Sequence, residues 1–312
     1  NAIIIIFLIF LFRINIVHAR SRAPAWSCFL ATKVTRTKFV TTFHGTYNFK
    51  SSMKKYYNSV MVKSDLIIAG SNFIFSHIKE NYSKYINDKK KLLVIFRGIN
   101  IDYYEPSTKL ENEEKKLLKN WEIEKDKKII LLPGRLTPWK GQELFIEAIN
   151  LVNIELGYEA FYAVILGSDQ GRDLYKKKLT RLSEQYRMTK QLRFIDHCND
   201  MALAYKVSDI IVSASIEPEA FGRVSVEAQS MEKLIIASNI GGSNETIVNG
   251  KTGILFKSGD ANSLSKKIIQ AITMDESSIN LIGKEGRKNI IKKFNVEKMC
   301  FSTYSEYKRL LN

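Results

Sequence analysis

The chain has 312 residues, of which 45% are hydrophobic, and its mean hydropathy of −0.16 excludes a protein built mostly of membrane-spanning segments. This length is near the upper limit for one hydrophobic core, so two domains are expected. Three cysteines (Cys28, Cys198 and Cys300) stand far apart, without the spacing of a zinc site or a disulfide framework. That usage favours a reducing cytoplasm.

The net charge is strongly positive, with 48 Lys and Arg against 32 Asp and Glu, which gives +16. Such a surface can bind nucleic acid, bind anionic lipid or simply be solvated. The basic residues form short, separate clusters with no nucleic-acid-binding motif near them, so no nucleic-acid partner is expected. An anionic membrane surface is a favoured partner because basic clusters are attracted to acidic lipids, and a solvated surface remains the alternative.

The run from Ala2 to Phe12 is almost wholly Ile, Leu and Phe and ends at Arg13. It is too short to cross a bilayer, which takes about 20 residues. It also lacks the basic leading region and small-residue cleavage site of a signal peptide. Two interpretations stay open. The preferred one is a helix packed on the sheet of an α/β domain, and the other is an anchor on a membrane surface.

From Ile14 onward, short apolar runs alternate with helical patterns, which indicates βαβ units and a parallel sheet. The expected strands are Ile16–His18, Phe39–Phe43, Leu66–Ala69 and Leu92–Ile95. The expected helices lie near Ala25–Thr35, Lys50–Val62 and Asn72–Asn81. A turn-rich exit from Gly98 to Pro106 follows, and then a charged stretch from Lys109 to Lys128 that carries a solvated helix. We therefore expect a first domain over residues 1–108.

The second half repeats this alternation more regularly. The expected strands are Ile129–Leu132, Phe161–Leu166, Leu192–Ile195, Ile210–Ser213, Leu234–Ala237 and Gly253–Phe256. The expected helices are Gln142–Leu156, Arg172–Tyr186, Asp200–Lys206, Arg223–Met231 and Asn262–Met274. A second doubly wound domain over residues 109–294 is predicted, with its binding site in the crevice at the carboxyl ends of its strands.

Two segments of the second half carry charge in a pattern suited to one ligand class. The loop Gly134-Arg135-Leu136-Thr137-Pro138-Trp139-Lys140-Gly141 offers two fixed cations after a strand. The segment from Pro218 to Ala228 places Glu219 before a helix and Glu227 inside it. Cations and free N–H groups suit a diphosphate, and carboxylates accept hydrogen bonds from sugar hydroxyls. A nucleotide-sugar site is predicted.

Four motifs, in their order along the chain, resemble those of the retaining glycosyltransferases of family 4, which have the GT-B fold. In chain order they are the run Thr42-Phe43-His44-Gly45-Thr46, the loop Gly134 to Gly141, the Glu-x7-Glu pair Glu219 and Glu227, and Gly241-Gly242-x2-Glu245 through Gly253. The resemblance implies two Rossmann-like domains facing a central cleft, with residues from about 295 to 312 returning to the first. Relatives begin with further strand–helix units that have no counterpart here, so the first domain is expected to be incomplete and the chain truncated.

The resemblance also implies roles for individual residues. Arg135 and Lys140 would neutralise the departing diphosphate, Glu219 and His44 would contact the transferred sugar, and Glu227 would accept from the ribose. The remaining expected donor-site residues surround these: Gly134, Gly167, Phe221, Gly222, Arg223, Gly241 and Gly242. Possible acceptor-side residues are Arg20, Arg22 and Gly45.

No metal or other cofactor is expected. Glu217-Pro218-Glu219 only superficially offers a metal-binding pair, and positive side chains with a helix dipole can supply the same electrostatics. The predicted reaction is metal-independent sugar transfer to a lipid-linked or polysaccharide acceptor, such as a lipopolysaccharide precursor. It would take place on the inner face of the cytoplasmic membrane. An inactive remnant that only binds nucleotide, or another GT-B sugar-nucleotide enzyme, remains the alternative.

Overall fold

The computed structural model describes residues 1–47, 51–86, 92–107, 111–124, 126–158 and 160–312. The chain divides by its internal packing into two units. Unit 1 comprises Asn1–Gly98 and Phe294–Asn312, and unit 2 comprises Ile99–Lys293. Each unit has its own parallel sheet, so the α/β class predicted from the sequence is confirmed.

Unit 1 is built on a four-stranded parallel sheet in which neighbours follow chain order. Its strands are β1 (Ile16–Ala19), β2 (Lys38–Phe43), β3 (Leu66–Ala69) and β4 (Leu92–Val94). Its first helices are α1 (Ala2–Leu11), α2 (Arg22–Thr35), α3 (Ser52–Asn58) and α4 (Asn72–Tyr82), with a 3-10 turn over Ser59–Val62. The helix predicted over Lys50–Val62 is thus divided in two, and Lys50 lies outside the described residues.

The apolar run at the start of the chain forms α1, which packs against α2. Most of its side chains stay in solvent: Ile3 is 81% exposed, Phe7 62% and Phe10 67%. Its one buried residue is Ile9. Within the described ranges, every helix is too short or too polar to cross a membrane.

Unit 2 is built on a six-stranded parallel sheet. Its strands are β5 (Lys128–Pro133), β6 (Phe161–Leu166), β7 (Leu192–Ile195), β8 (Ile210–Ser213), β9 (Leu234–Ser238) and β10 (Ile254–Phe256). Its helices are α5 (Glu111–Asn120), α6 (Gln142–Leu156), α7 (Asp173–Gln185), α8 (Met201–Val207), α9 (Arg223–Ser230), α10 (Ser243–Thr246), α11 (Ala261–Thr273) and α12 (Glu276–Lys293). Every residue of β6, β8 and β9 is buried, as expected of a parallel sheet covered on both faces.

The last helix, α13 (Val296–Leu311), returns to unit 1. Its Met299, Tyr307 and Leu310 pack against a core of buried aliphatic side chains on the first sheet, which includes Val40 and Ile68. Burial of these apolar side chains fixes the helix to the sheet.

The division between the units falls at Gly98, before the predicted boundary at residue 108. The described residues 99–107 belong to unit 2 because their aromatic side chains are engaged there. The Tyr103 hydroxyl donates to Asp200 Oδ1 at 3.1 Å, and the Tyr104 ring meets the Tyr205 ring edge-on at 6.0 Å. The turn-rich composition from Gly98 to Pro106 predicted where the chain leaves the first domain, but it did not indicate these contacts.

Candidate functional site

The strand order of unit 2 determines where a ligand can bind. The order is β10-β9-β8-β5-β6-β7, so the chain leaves β5 on one side and returns on the other at β8. The connections that follow these two neighbouring strands diverge, and a crevice opens at their carboxyl ends. The loop from Gly134 to Gly141 follows β5, and the loop from Ala214 to Gly222 follows β8. Both predicted motifs therefore meet at the switch point of the sheet.

An ion pair joins the two loops. The Lys140 ammonium lies 2.7 Å from Glu219 Oε1, and both side chains are largely buried, at 14% and 12% exposed. The Ser215 hydroxyl donates to the same carboxylate oxygen at 2.5 Å, and the Trp139 ring centroid lies 4.6 Å from the ammonium. A buried charge needs such a partner, because an unpaired one would be strongly destabilising. The pair sets the positions of two residues 79 apart in sequence.

The two loops are also held together backbone to backbone. Gly141 has φ +73°, and a Cβ on it would lie 1.9 Å from the Ala214 carbonyl oxygen. The Ile216 N–H donates to the Trp139 carbonyl at 2.9 Å. Only glycine fits at position 141, because any side chain would push the two loops apart.

The predicted glycines Gly134 and Gly167 form a second close contact. Each directly follows a strand, and a Cβ on Gly167 would lie 2.1 Å from the Gly134 carbonyl oxygen. The Lys140 side-chain carbons pass beside Gly134, about 3.6 Å from where its Cβ would be. That distance is ordinary van der Waals contact, so it is the close approach of Gly167 to the Gly134 carbonyl that requires a glycine here.

The β9 loop closes on the same site through Gly241 and Gly242. A Cβ on Gly242 would lie 2.5 Å from the Phe221 backbone, and one on Gly241 would lie 2.7 Å from the Glu219 carbonyl oxygen. The Gly242 N–H donates to that carbonyl at 2.8 Å. Glu219 is therefore fixed at both its side chain and its backbone.

Helix α9 begins at this junction. Gly222, in the left-handed region at φ +78°, is its N-cap, and Phe221 before it is buried. The first N–H groups of a helix have no intrahelical partner and carry the positive end of its dipole. Ser225, in the first turn, is fully buried, and its hydroxyl has no hydrogen-bond partner within the described residues. The helix start can therefore receive an anion or a hydroxyl-bearing ligand.

Glu227 lies one helical turn further on and is only 7% exposed. The Tyr205 hydroxyl donates to its Oε2 at 2.8 Å, and Arg223 donates to its Oε1 at 3.0 Å. Burial, followed by the Glu227 carboxylate, raises the pKa of Tyr205 well above its usual value, and the same two causes raise the pKa of Tyr104. Both phenols remain protonated at neutral pH, so Tyr205 acts as a fixed donor.

The two cations next to these carboxylates are placed differently. The Arg223 side chain is 66% exposed and can leave its carboxylate partner at little cost. Arg135 is exposed and makes no ion pair within the described residues, while its carbonyl accepts from the buried Gln142 amide at 2.9 Å. Its backbone is fixed and its guanidinium is free to meet a ligand.

In unit 1, His44 follows β2 and is half-buried. Arg20 donates to its Nε2 at 3.1 Å, and its Nδ1 is buried without a partner within the described residues. Burial, then the charges of Arg97 and Arg20, lowers the pKa of His44 to about 4. The ring is neutral at pH 7 and carries its proton on the unpartnered Nδ1, which is available to donate.

The other predicted acceptor-side residues differ in their surroundings. Arg22 donates to Asn58 Oδ1 at 3.0 Å and stacks 4.6 Å from the Tyr47 ring centroid, so it links α3 to Tyr47. These contacts give Arg22 a structural role in the described part of unit 1. Around Gly45 the space is open, with no atom within 4 Å of where a Cβ would lie.

The described part of the chain has no group of three His, Cys, Asp or Glu side chains arranged to hold a metal ion. Sequence reasoning did not identify three residues at the site. Ser215 and Tyr205 gave no local pattern because their partners are distant in sequence, and Tyr104 was assigned to a turn-rich exit. The Arg223–Glu227 pair could have been predicted from its i,i+4 spacing on a helix.

Two family models match the chain. The model "Glycosyl transferases group 1" matches residues 113–289, and the model "Glycosyltransferase Family 4" matches residues 2–103. Among curated relatives, the capsular polysaccharide biosynthesis glycosyltransferase CapM of Staphylococcus aureus is 28% identical over 69% of this chain and 53% of its own length. The uncharacterized glycosyltransferase MJ1069 of Methanocaldococcus jannaschii is 28% identical over 85% of this chain and 64% of its own length. The chain thus spans about half to two thirds of these relatives.

Solved structures are similar over nearly the whole chain. A glycosyltransferase from Rickettsia africae ESF-5 is 38% identical with a TM-score of 0.91, and the match covers 100% of this chain and 81% of that one. Alr3699/HepE from Anabaena, solved in complex with UDP, is 19% identical with a TM-score of 0.86, over 99% and 82% of the two chains.

Proposed function

The chain belongs to the glycosyl transferases group 1 and has the GT-B fold, and from this premise we propose that it transfers a sugar from a nucleotide-diphosphate donor with retention of configuration. The family and fold predictions from the sequence are confirmed. The retaining chemistry, the donor and the acceptor are our proposal, because the chain spans only part of its curated relatives.

One observation supports the proposal most directly. The switch point of the second sheet brings a buried Lys140–Glu219 pair beside the start of α9, with Arg135 exposed on the same loop as Lys140. A diphosphate needs cations and unpaired N–H groups, and a sugar needs fixed hydrogen-bond acceptors. This part of unit 2 offers both kinds of group.

In the proposed reaction the bond between the sugar and the diphosphate breaks, and the acceptor hydroxyl attacks from the same face. The acceptor proton passes to the departing diphosphate, so no dedicated protein base is needed. Arg135 and Lys140 stabilise the negative charge that develops on the leaving group. Glu219 holds the sugar hydroxyls. The role proposed for His44 is to donate a hydrogen bond from Nδ1, which has no partner within the described residues.

Glu227 is proposed to accept from the ribose hydroxyls. Its Oε1 accepts from the exposed Arg223, which a nucleotide can displace, whereas Oε2 stays with Tyr205. Alr3699/HepE structures contain UDP, UDP with glucose, and UDP-glucose, which makes UDP the first nucleotide to test.

We propose that the leaving group is stabilised without a metal, because two cations and the dipole of α9 supply positive charge at the same place. The acceptor is proposed to be a lipid-linked or polysaccharide glycan of the cell envelope, such as a capsule or lipopolysaccharide precursor, in keeping with the CapM relative. The net charge of +16 supports peripheral binding to the inner face of the cytoplasmic membrane.

Calorimetry with UDP, GDP and ADP, with and without magnesium, tests the donor site. Wild-type protein should bind one nucleotide with the same affinity in either buffer. Arg135→Ala and Glu227→Ala should each weaken binding at least tenfold, since each removes a charged hydrogen bond of about 1.5–3 kcal/mol. Arg181→Ala and Glu184→Ala, which delete the same side chains on the exposed face of α7, are matched controls.

Three outcomes would contradict the proposal. If no nucleotide binds to folded protein, the donor site fails. If binding requires magnesium, the metal-independent mechanism is wrong. If UDP binds but radiolabelled sugar never leaves UDP-sugar in the presence of membrane extracts or of water, the chain binds nucleotide without transferring sugar.

A further inference from the structure

Arg287 joins α12 to two other parts of unit 2. Its Nη1 donates to the Ser230 carbonyl, at the end of α9, at 2.5 Å and to the Tyr104 carbonyl at 2.8 Å. Its Nη2 forms an ion pair with Glu105. The side chain is only 13% exposed, so its charge depends on these partners more than on water. Arg287 therefore fixes residues 104 and 105 against the end of α9.

Two glycines bring α12 close enough for this contact. A Cβ on Gly283 would lie 2.1 Å from the Glu232 carbonyl oxygen, and one on Gly286 would lie 3.0 Å from Gln229 Cγ. The last carbonyls of a helix have no intrahelical partner and favour a nearby cation. The approach of α12 thus places the Arg287 guanidinium at the carboxyl end of α9, the helix that carries Glu227.

Residues 103–106 are anchored at both ends, and we call them the tyrosine segment. The Tyr103 hydroxyl donates to Asp200 Oδ1, at the N-cap of α8, at 3.1 Å. The Lys206 ammonium, near the other end of α8, donates to the Pro106 carbonyl at 3.0 Å. The tyrosine segment is therefore tied to α8 at its two ends and to Arg287 in its middle.

Between these anchors, Tyr104 reaches Glu227. The Tyr104 ring meets the ring of Tyr205 on α8 edge-on at 6.0 Å, and the Tyr205 hydroxyl donates to Glu227 Oε2 at 2.8 Å. Burial, and then the neighbouring Glu227 carboxylate, raises the pKa of Tyr104, so its phenol stays protonated beside that carboxylate. Tyr104 therefore supports Glu227 both directly and through Tyr205.

We propose that Arg287 is a positioning residue for the ribose of the donor, because it holds the tyrosine segment where two phenols support Glu227. This inference rests on the proposed function, in which Glu227 accepts from the ribose hydroxyls. Without Arg287, the described residues leave the Tyr104 carbonyl with the Ser230 hydroxyl at 3.4 Å, which is long for a hydrogen bond. The tyrosine segment should then open more easily, and Glu227 should lose part of its support.

Hydrogen exchange of the full chain, followed by mass spectrometry, tests the first step without any nucleotide. In Arg287→Gln the backbone amides of the tyrosine segment should exchange about tenfold faster, because local opening costs less free energy. Asn153→Ala is the matched control, since it removes two buried hydrogen bonds to Gln191, of 2.7 and 2.8 Å, elsewhere in unit 2. It should lower the stability of unit 2 and leave local exchange in the tyrosine segment unchanged.

Calorimetry tests the second step with UDP and with 2′,3′-dideoxyuridine diphosphate, an analogue without the two ribose hydroxyls. In Arg287→Gln the Kd for UDP should rise about fivefold and the Kd for the analogue should stay the same, because Glu227 meets only the ribose. Arg287→Lys keeps a cation beside Glu105 and a donor for one carbonyl, so it should restore part of the affinity for UDP. The control Asn153→Ala should bind both ligands as wild type does.

Two results would overturn the proposal. One is exchange in the tyrosine segment that is no faster in Arg287→Gln than in Asn153→Ala. The other is an equal rise in the Kd for the two ligands, because Arg287 would then have a structural role only. If Arg287→Gln does not fold, Arg287→Lys gives the same two comparisons with smaller changes.

The wild-type protein separates this inference from the proposed function. If wild type binds UDP and the analogue equally, the ribose role of Glu227 is wrong, and this inference falls with it. If wild type prefers UDP and Arg287→Gln shows the same preference, this inference alone is wrong.

Discussion

Removing one hydroxyl group from the core of unit 2 should weaken nucleotide binding. Tyr205 is fully buried, and its hydroxyl donates to Glu227 Oε2 at 2.8 Å. In Tyr205→Phe the Glu227 carboxylate loses this donor, while Arg223, 3.0 Å from the other oxygen, and the Tyr104 phenol remain beside it. Glu227 should then turn toward Arg223 and away from the position in which we propose that it meets the ribose.

The expected magnitudes follow from this one hydrogen bond. A hydrogen bond to a charged group contributes about 1.5–3 kcal/mol, so the free energy of unfolding of unit 2 should fall by about that amount. Only the part of this free energy that holds Glu227 in position affects the binding of the nucleotide. We expect a loss of about 1 kcal/mol in binding, which is a rise of roughly five- to tenfold in the Kd for UDP.

Urea unfolding and calorimetry measure these two effects. UDP should be compared with 2′,3′-dideoxyuridine diphosphate, which lacks both ribose hydroxyls, and the affinity for this analogue should be the same in wild type and Tyr205→Phe. Tyr82→Phe is the control, because it removes a buried hydroxyl that donates to the Tyr47 carbonyl at 3.1 Å in unit 1. It should lower stability and leave UDP binding unchanged.

The reasoning fails if Tyr205→Phe binds UDP as tightly as wild type. It also fails if the variant loses affinity for UDP and for the dideoxy analogue equally, because the defect would then be general to the site. Combining Tyr205→Phe with Glu227→Gln adds a further check. The two effects on Kd should be far from additive, since both act through one carboxylate.

Two further predictions concern stability. Gly141→Ala should destabilise unit 2 by about 3 kcal/mol in urea unfolding, because its Cβ would overlap the Ala214 carbonyl. The control Gly157→Ala, at φ +89° with open space around it, should cost about 1 kcal/mol. Similar losses of stability in the two variants would contradict the packing argument. The pKa of His44 is lowered to about 4 from 6.5, so as the pH falls the unfolded chain takes up the proton before the folded chain does. The contribution of the neutral His44 to the stability of unit 1 is therefore present above pH 6.5 and is lost as the pH falls toward 4. His44→Gln should make the fall in the melting temperature of unit 1 over that interval shallower without removing it, because burial also lowers the pKa of His18 in the same unit to about 4. An unchanged pH profile would show that His44 does not titrate as described.

The sequence predicted the elements that local periodicity determines. Strands Phe161–Leu166 and Ile210–Ser213 and helix Gln142–Leu156 occupy their predicted residues, because uninterrupted apolar runs and a glycine before the helix define them. The motifs also predicted that Lys140 and Glu219 lie in loops of one binding site. Their direct contact could not be predicted, because it depends on β5 and β8 being neighbours in the sheet, and periodicity does not reveal strand order.

Side-chain partners were harder to predict from the sequence. Arg22 follows a strand end and is predicted as a possible acceptor contact, and its contacts with Asn58 and the Tyr47 ring could not be read from the sequence. Tyr205 lies on a short helix whose pattern indicates only burial, and its role depends on α9 lying beside it. The boundary at Gly98 likewise depends on long-range aromatic contacts. Such pairings arise from tertiary packing, and a single sequence gives little information about them.

The backbone contacts at Gly141, Gly167 and Gly242 bear on how this site could be redesigned. Where main chain touches main chain, neither loop can be lengthened or re-angled without moving the other. A loop taken from a relative with a different donor preference would therefore clash unless the adjoining loops were exchanged with it. Donor choice is more easily altered through side chains that leave this framework untouched, and the exposed guanidiniums of Arg135 and Arg223 are the natural starting positions.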